Sequence, residues 1–332
     1  MREGLTYDLS LSNGISSIDA QASVFASIPM LIESFMSSRA TMNDLDGIGN
    51  CLKPMGYTTA FFHGADNGSL SIDGFVKACG MDAYYGRREF NNDAEWDHHW
   101  GIWDEPFLQY FRMKMSDMHE PFMTALFSLT SHHPFHIPEQ YQQTFPEEEM
   151  PIHKCIRYTD HALSRFFHEA AKESWFKNTL FIMTGDHTNM SNHPEYKSSI
   201  GQFATSIIIY DPSGALQPGI REGIAQQTDI MPTILGYVGY ERPYVAFGCD
   251  LFHTHPRDTW AVNYLDGVYQ YCKGDYVLQF DGQQTIGLFR LNDYRMTHNL
   301  KGQCPEQPQL EREIKAIIQQ YMQRMIDNTL IP

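Results

Sequence analysis

The chain of 332 residues lacks any excess of basic charge. Its 24 Lys and Arg stand against 40 Asp and Glu, a formal net charge of −16. Nucleic acid, which is bound largely through Lys and Arg on phosphates, is therefore not expected as the main partner. The same balance disfavours an anionic substrate unless a cation in the site supplies positive charge. No apolar run approaches the roughly 18 residues that cross a bilayer. The start, Met1-Arg-Glu-Gly-Leu-Thr6, is followed by no apolar stretch of the kind a secretory signal needs. The six cysteines are scattered with no Cys-x-x-Cys pair, so a zinc ribbon is not read and free buried thiols are expected. Internal repeats and low-complexity tracts are also missing. What is present is an ordinary globular composition, with 42% hydrophobic and 19% charged residues. The length suffices for one large α/β domain or a domain with a small appendage.

Apolar periodicity divides the chain in two. Up to residue 256, strand-like and helix-like segments alternate. Helical spacing covers 17–36, a short strand Tyr57–His63, a helix Ile72–Cys79, a strand Pro121–Leu129 and an amphipathic helix Tyr158–Glu173. Leu180–Met183 reads as a buried strand, apolar on both faces, followed by a strand Ser206–Tyr210 and a helix Thr228–Tyr237. From 257 to 332 the pattern is an antiparallel meander, Trp260–Leu265, Val268–Tyr271, Tyr276–Phe280 and Thr285–Leu291. Asp266-Gly267, Lys273-Gly274 and Asp281-Gly282 punctuate it, and a closing helix Pro308–Asn328 follows. The expected domains are thus 1–256 and 257–332. The fold class is α/β, a mostly parallel sheet flanked by helices with a small antiparallel α+β subdomain.

Polar groups sit at the strand ends. His63-Gly64, His132-His133-Pro134 and Asp186-His187 each follow an apolar run, and in one parallel sheet such ends share an edge where ligands bind. The adjacent Asp186 and His187 offer an oxygen and a nitrogen to one divalent cation. The plainer alternative is a strand-end Asp capping the next turn beside a bystander His. Ser16 and Ser17 precede the first helix, where free backbone N–H groups and the helix dipole suit an attacking alkoxide and an incoming anion. Ser as an ordinary N-cap is the competing reading.

Taken in order, seven segments resemble the alkaline-phosphatase/sulfatase superfamily. They are Ser12-Asn-Gly-Ile-Ser-Ser-Ile-Asp19, Phe61-Phe-His-Gly64, Trp100-Gly-Ile-Trp-Asp-Glu-Pro-Phe107, Leu129-Thr-Ser-His-His-Pro-Phe135, Tyr158-Thr-Asp-His161, Thr184-Gly-Asp-His-Thr188 and Gln227-Thr-Asp-Ile-Met-Pro232. More closely, they resemble lipoteichoic acid synthases and related phosphoglycerol or phosphoethanolamine transferases. The resemblance implies an alkaline-phosphatase-like fold and a nucleophilic Ser17, with Ser16 the neighbouring alternative. It implies Ser17, Asp186 and His187 as metal ligands, His132 beside the transferring group, and His63 and His133 in the substrate pocket. The implied cofactor is a divalent ion, manganese first, with magnesium, calcium or zinc as alternatives. The implied substrate is a phospholipid head group or glycan ester, handled through a covalent ester on Ser17. The implied setting is extracytoplasmic, with membrane attachment through an N-terminal region absent from this chain.

Two departures from the family pattern stand out. The family's acidic metal ligand upstream of the nucleophile has no counterpart here, because no apolar strand ending in Glu or Asp precedes Ser17, and neither Asp19 nor Asp73 is an evident substitute. The catalytic domain is therefore expected to lack its first strand, through a shortened chain, a mis-assigned start or a decayed copy. The segment Ala65–Ile72 carries none of the Arg that some relatives place after the His-Gly pair, so a bidentate phosphate clamp is missing there. None of the cysteines lies in the Cys-x-Pro/Ala-x-Arg signature of formylglycine sulfatases. Sulfuric-ester hydrolysis, and an inactive domain that only binds anionic ligands, are the alternatives to phosphotransfer.

Overall fold

The structure, a computed structural model, describes residues 3–332; Met1 and Arg2, the start of the segment read above for an export signal, lie outside the described residues. In chain order the strands are β1 (Leu5–Leu11), β2 (Thr58–His63), β3 (Ala83–Tyr85), β4 (Phe122–Phe127), β5 (Phe181–Thr184), β6 (Ile207–Tyr210), β7 (Gly219–Gln226), β8 (Trp260–Leu265), β9 (Val268–Lys273), β10 (Tyr276–Phe280) and β11 (Thr285–Arg290). They form three sheets, ordered β5-β6-β1-β7, β3-β2-β4 and β11-β10-β9-β8. The chain divides into two compact units. One comprises the residues up to Cys51 together with Leu180–Pro332, and the other is Leu52–Thr179.

The first unit is organised by β1, a strand that the sequence reading passed over. Leu5, Tyr7, Leu9 and Leu11 alternate with Thr6, Asp8 and Ser10, a period-2 pattern obscured by its brevity and by Asp8. β1 lies inside its sheet, parallel to β7 and antiparallel to β6, and β6 is antiparallel to β5. β1, β5 and β7 therefore run the same way, and their carboxyl ends share one edge. This corrects the reading of β5 as a strand buried on both faces. It is the end strand of its sheet, begins and ends one residue later than expected, and its side chains are half-buried. Leu5, Tyr7, Ile207, Ile209, Ala225, Ile230 and Leu251 form the core on one side.

The boundary expected at residue 256 does not separate the compact units. β8–β11 do form their own antiparallel meander, and the closing helix spans Gln307–Asp327. Yet Leu11, Phe203 and Ile224 share a buried cluster with Ala261, Cys272 and Val277, so the meander is packed into the first unit. The expected helix over 17–36 is shorter: helix α1 spans Ser17–Ala26 and ends at Ser27 in the left-handed conformation.

The second unit carries β2 between β3 and β4, all parallel. Two helices, Asp104–Asp117 and Pro151–Ala170, belong to it, and the first of them went unread in the sequence. The expectation that His63, His132 and Asp186 close strands of a single parallel sheet is corrected: β2 and β4 belong to one sheet and β5 to another. The reason is that β5 pairs with the antiparallel β6, an arrangement that strand-end spacing cannot reveal. Among the described residues, no helix is long and apolar enough to cross a membrane. All six cysteines are free.

Candidate active site

In the first unit, the common edge of β1, β5 and β7 brings together three loops. The turn after β1 runs Ser12-Asn13-Gly14-Ile15-Ser16 into α1. Its tightness requires glycine at 14, where an added Cβ would collide with the side chain of Asp19. Ser16 occupies the N-cap position, but its side chain caps nothing. Its hydroxyl donates instead to Asp19 Oδ2 at 3.1 Å. Ser17 is the first helical residue, and its hydroxyl donates to Asp186 Oδ2 at 2.7 Å. The capping reading thus fails for both serines, and the geometry selects Ser17 over Ser16 as the residue joined to the Asp-His pair.

Asp186 and His187 follow β5 after Gly185. The Asp186 carboxylate accepts from the backbone N–H of His187 through Oδ1 at 2.9 Å. His187 Nδ1 lies 2.6 Å from the carbonyl of Thr188. A carbonyl can only accept, so Nδ1 carries the proton and a neutral ring presents an unprotonated Nε2. That nitrogen lies 3.4 Å from Asp186 Oδ2. In that neutral form a basic nitrogen and a carboxylate oxygen face each other, a pair that suits a shared cation. Ligand atoms at about 2.0–2.2 Å from one metal are themselves roughly 3.0–3.5 Å apart. The Nδ1–H···O=C bond is the outer contact that orients metal-binding histidines. Asp186 Oδ2 and His187 Nε2 therefore fit a divalent ion, and the Ser17 hydroxyl, hydrogen-bonded to the same oxygen, is the third group that could join them. Among the described residues, no group of three or more His, Cys, Asp or Glu side chains is placed to hold one, so the set has two such ligands and a hydroxyl.

Behind these loops lies a layer of buried amides that sequence reasoning missed. Asn13 donates from Nδ2 to Gln226 Oε1 at 2.7 Å and to the Val262 carbonyl at 3.0 Å, and accepts from Thr228 N–H at 3.0 Å. Gln227 donates to the carbonyls of Gly185 and Asp186, both at 2.8 Å, and accepts from Asn13 N–H at 3.0 Å. Asp229 closes the layer, accepting from the backbone of Gln226 and Cys249. Burial pushes its carboxyl up to about 7, against the pull of those hydrogen bonds. Asn13 and Gln227 both stood in the matched segments, but their partners lie far off in sequence, which no local pattern shows.

The second unit places His63, His132 and His133. His63 ends β2, is fully buried, and its Nδ1 lies 3.0 Å from the Tyr84 hydroxyl on β3. Burial depresses its pKa to about 4, with the charge of Asp73 opposing weakly. His132 and His133 are exposed on the loop after β4. The ring centroids of His132 and Trp100 lie 3.9 Å apart, and Trp100 Nε1 donates to the His133 carbonyl. This loop is held by Asp104, a buried carboxylate. Its Oδ1 accepts from the backbone N–H groups of Leu129 and Thr130 at 2.9 and 3.2 Å, and its Oδ2 accepts from Thr159 at 2.7 Å. Burial raises the Asp104 pKa, and those bonds oppose the rise. Asp104 lay in the matched Trp100–Phe107 segment, whereas Tyr84 carried no signal.

Comparison with known proteins is consistent with this geometry. A family profile described as Sulfatase matches residues 1–240. Lipoteichoic acid synthase 1 of Bacillus subtilis (strain 168) is 28% identical over 224 residues, 62% of this chain and 35% of that protein. Lipoteichoic acid synthase of Staphylococcus aureus (strain USA300) is 27% identical over 225 residues, 59% of this chain and 33% of that protein. The chain thus spans about a third of the length of these relatives. Among solved structures, a protein of the alkaline phosphatase superfamily from Vibrio parahaemolyticus superposes with a TM-score of 0.85 at 21% identity, covering 100% of this chain and 81% of that one. The lipoteichoic acid synthase LtaP from Listeria monocytogenes gives 0.83 at 18% identity, covering 99% and 85%. With its fold matched along its length and most of its residues covered by the family profile, the chain belongs to the Sulfatase family and has the alkaline-phosphatase-superfamily fold.

Proposed function

We propose that the chain transfers or hydrolyses a phosphate ester through a covalent intermediate on Ser17. The hydrogen bond from Ser17 to Asp186, with the Nε2 of His187 beside it, carries this reading. A divalent cation held by Ser17, Asp186 and His187 would supply the positive charge that lowers the hydroxyl pKa and offsets both the anionic ester and the net charge of −16. Manganese is the metal proposed. As Ser17 Oγ forms its bond to phosphorus its O–H bond breaks, and the proton passes to Asp186, which already accepts its hydrogen bond. The P–O bond to the leaving alcohol then breaks, and an acid must protonate that oxygen. By the family resemblance, His132 takes that role, with His63 and His133 recognising the substrate. Attack by an acceptor alcohol or water on the phosphoserine regenerates Ser17. By the family resemblance the proposed substrate is a phosphoglycerol-type head group on a lipid or glycan, handled outside the cytoplasmic membrane; the relatives' name, lipoteichoic acid synthase, supports a lipid-linked polymer as the material acted on.

A second reading, sulfate-ester hydrolysis on the same scaffold, draws on the family profile. Turnover of bis-p-nitrophenyl phosphate against p-nitrophenyl sulfate, with Mn²⁺ or with chelator, tests both. The phosphodiester should be the better substrate, chelator should abolish turnover, and Ser17→Ala should lower it by about a thousandfold or more. Phosphate trapped on Ser16, or equal rates with chelator, would overturn the proposal. Specific adherence of anionic lipid without turnover would identify an inactive binding domain.

A further inference from the structure

Gln227 opens one of the matched segments, yet the proposed chemistry gives it no part. It is completely buried, and all its polar groups are engaged. Its amide nitrogen donates to the carbonyls of Gly185 and Asp186, and its amide oxygen accepts from the N–H of Asn13. These partners belong to the two loops that present Asp186 and Ser17. Two donors and one acceptor in a single plane are what a carboxamide supplies. A carboxylate of the same shape would turn an acceptor toward two carbonyl oxygens, and a thioether would remove all three bonds, leaving the Gly185 carbonyl only the hydroxyls of Thr184 and Thr205.

We infer that Gln227 is a positioning residue that fixes the spacing between the Ser17 loop and the Asp186-His187 loop. The inference rests on the proposed roles of those three residues. Position is set at the backbone: the Asp186 carbonyl is held on one side of the residue, and the carboxylate meets Ser17 on the other. The Asn13 side chain holds its own loop to Gln226, Thr228 and the Val262 carbonyl, so the amide of Gln227 is the tie that joins the backbones of the two loops, beside the Ser17–Asp186 bond it would position. A loosened tie separates Ser17 from Asp186 without removing either.

The test compares the full chain with Gln227→Glu, Gln227→Met and Gln270→Met. Gln270 is an equally buried glutamine on β9 whose own hydrogen bonds go to Ser199 and Gln279, outside both loops, and it controls for the general cost of losing a buried amide. Ser17→Ala reports on the proposed function itself. Three readouts are taken: hydrogen exchange of peptides covering 12–17 and 185–188, the Mn²⁺ dissociation constant by calorimetry, and kcat with KM. Gln227→Glu should speed exchange in both peptides, weaken Mn²⁺ by about tenfold or more and lower kcat more than it raises KM. Gln227→Met should do the same more mildly, and it decides the matter if the Glu variant does not fold. Gln270→Met should leave the two peptides and Mn²⁺ affinity within about twofold of wild type. The inference is overturned if both Gln227 variants keep wild-type exchange, or if Gln270→Met changes these readouts equally. A Ser17→Ala variant that stays active overturns the proposed function instead, while loop exchange still decides the role of Gln227.

Discussion

The two units hold their polar loops by opposite chemistry. In the first, neutral amides fix the loops after β1 and β5: Asn13, Gln226 and Gln227 share the donating and accepting. In the second, a single buried carboxylate, Asp104, fixes the loop carrying His132 and His133, and it can only accept. The difference follows from what each loop exposes. The Gly185 and Asp186 loop turns carbonyls inward and needs donors, whereas Leu129 and Thr130 turn N–H groups inward and need an acceptor. An amide layer also places no further formal negative charge directly against Asp186. The carboxylate in the second unit costs desolvation, visible in its raised pKa, and is offset by concentrated hydrogen bonding.

Exchanging the two chemistries sharpens the comparison. Gln227→Glu should have the largest effect, lowering stability by about 3 kcal/mol or more, since the half-buried carbonyls of Gly185 and Asp186 lose the amide donor and face an anion. Chemical denaturation at neutral pH measures it. A loss below about 1 kcal/mol would mean that the amide layer is not needed to satisfy those carbonyls.

Next comes the acid limb. The folded-state pKa of His63 is depressed to about 4 from an ordinary 6.5, so its contribution is fully present above pH 6.5 and is lost as pH falls from 6.5 toward 4. The loss reaches about 3 kcal/mol near pH 4. His63→Gln should remove that part of the slope of stability against pH, and an unchanged slope refutes the assignment.

The smallest effect is expected from Asp104→Asn, about 1 kcal/mol. Asn Oδ1 still accepts from Leu129 and Thr130, and the new NH₂ can donate to the Thr159 hydroxyl once that group rotates. If this change costs as much as Gln227→Glu, charge matters at Asp104 beyond its accepting lone pairs.

The residues of the candidate site were legible in the sequence, and the contacts that support them were not. Ser17, Asp186 and His187 stand beside apolar runs, so the chain announces them locally. The helix Pro151–Ala170 and the meander were legible for the same reason, a strong period or a turn dipeptide. β1 and β7 were not. β1 carries Asp8 among its apolar residues, and β7, with Gly219, Arg221, Glu222 and Gly223, has the texture of a loop. Each is a strand because of the other, through parallel pairing between segments far apart in the chain. Gln227 and Asp104 were visible as members of motifs but not as tethers, since a tether is defined by what it reaches.

That pairing has a consequence in time. β1 emerges from the ribosome well before its parallel partner β7, which begins only at Gly219. Between them comes the whole of the second unit, whose sheet contacts are more local in sequence. Contacts that close long loops form late. The loop carrying Ser17 should therefore be among the last parts of the chain to settle. In refolding followed by pulsed hydrogen exchange, amides of Leu9–Leu11 should gain protection together with those of Ile224–Gln226 and after those of β2. A nascent chain would then hold its proposed nucleophile, Ser17, unpositioned until Gln227 has been made, so that assembly and the proposed activation are one event.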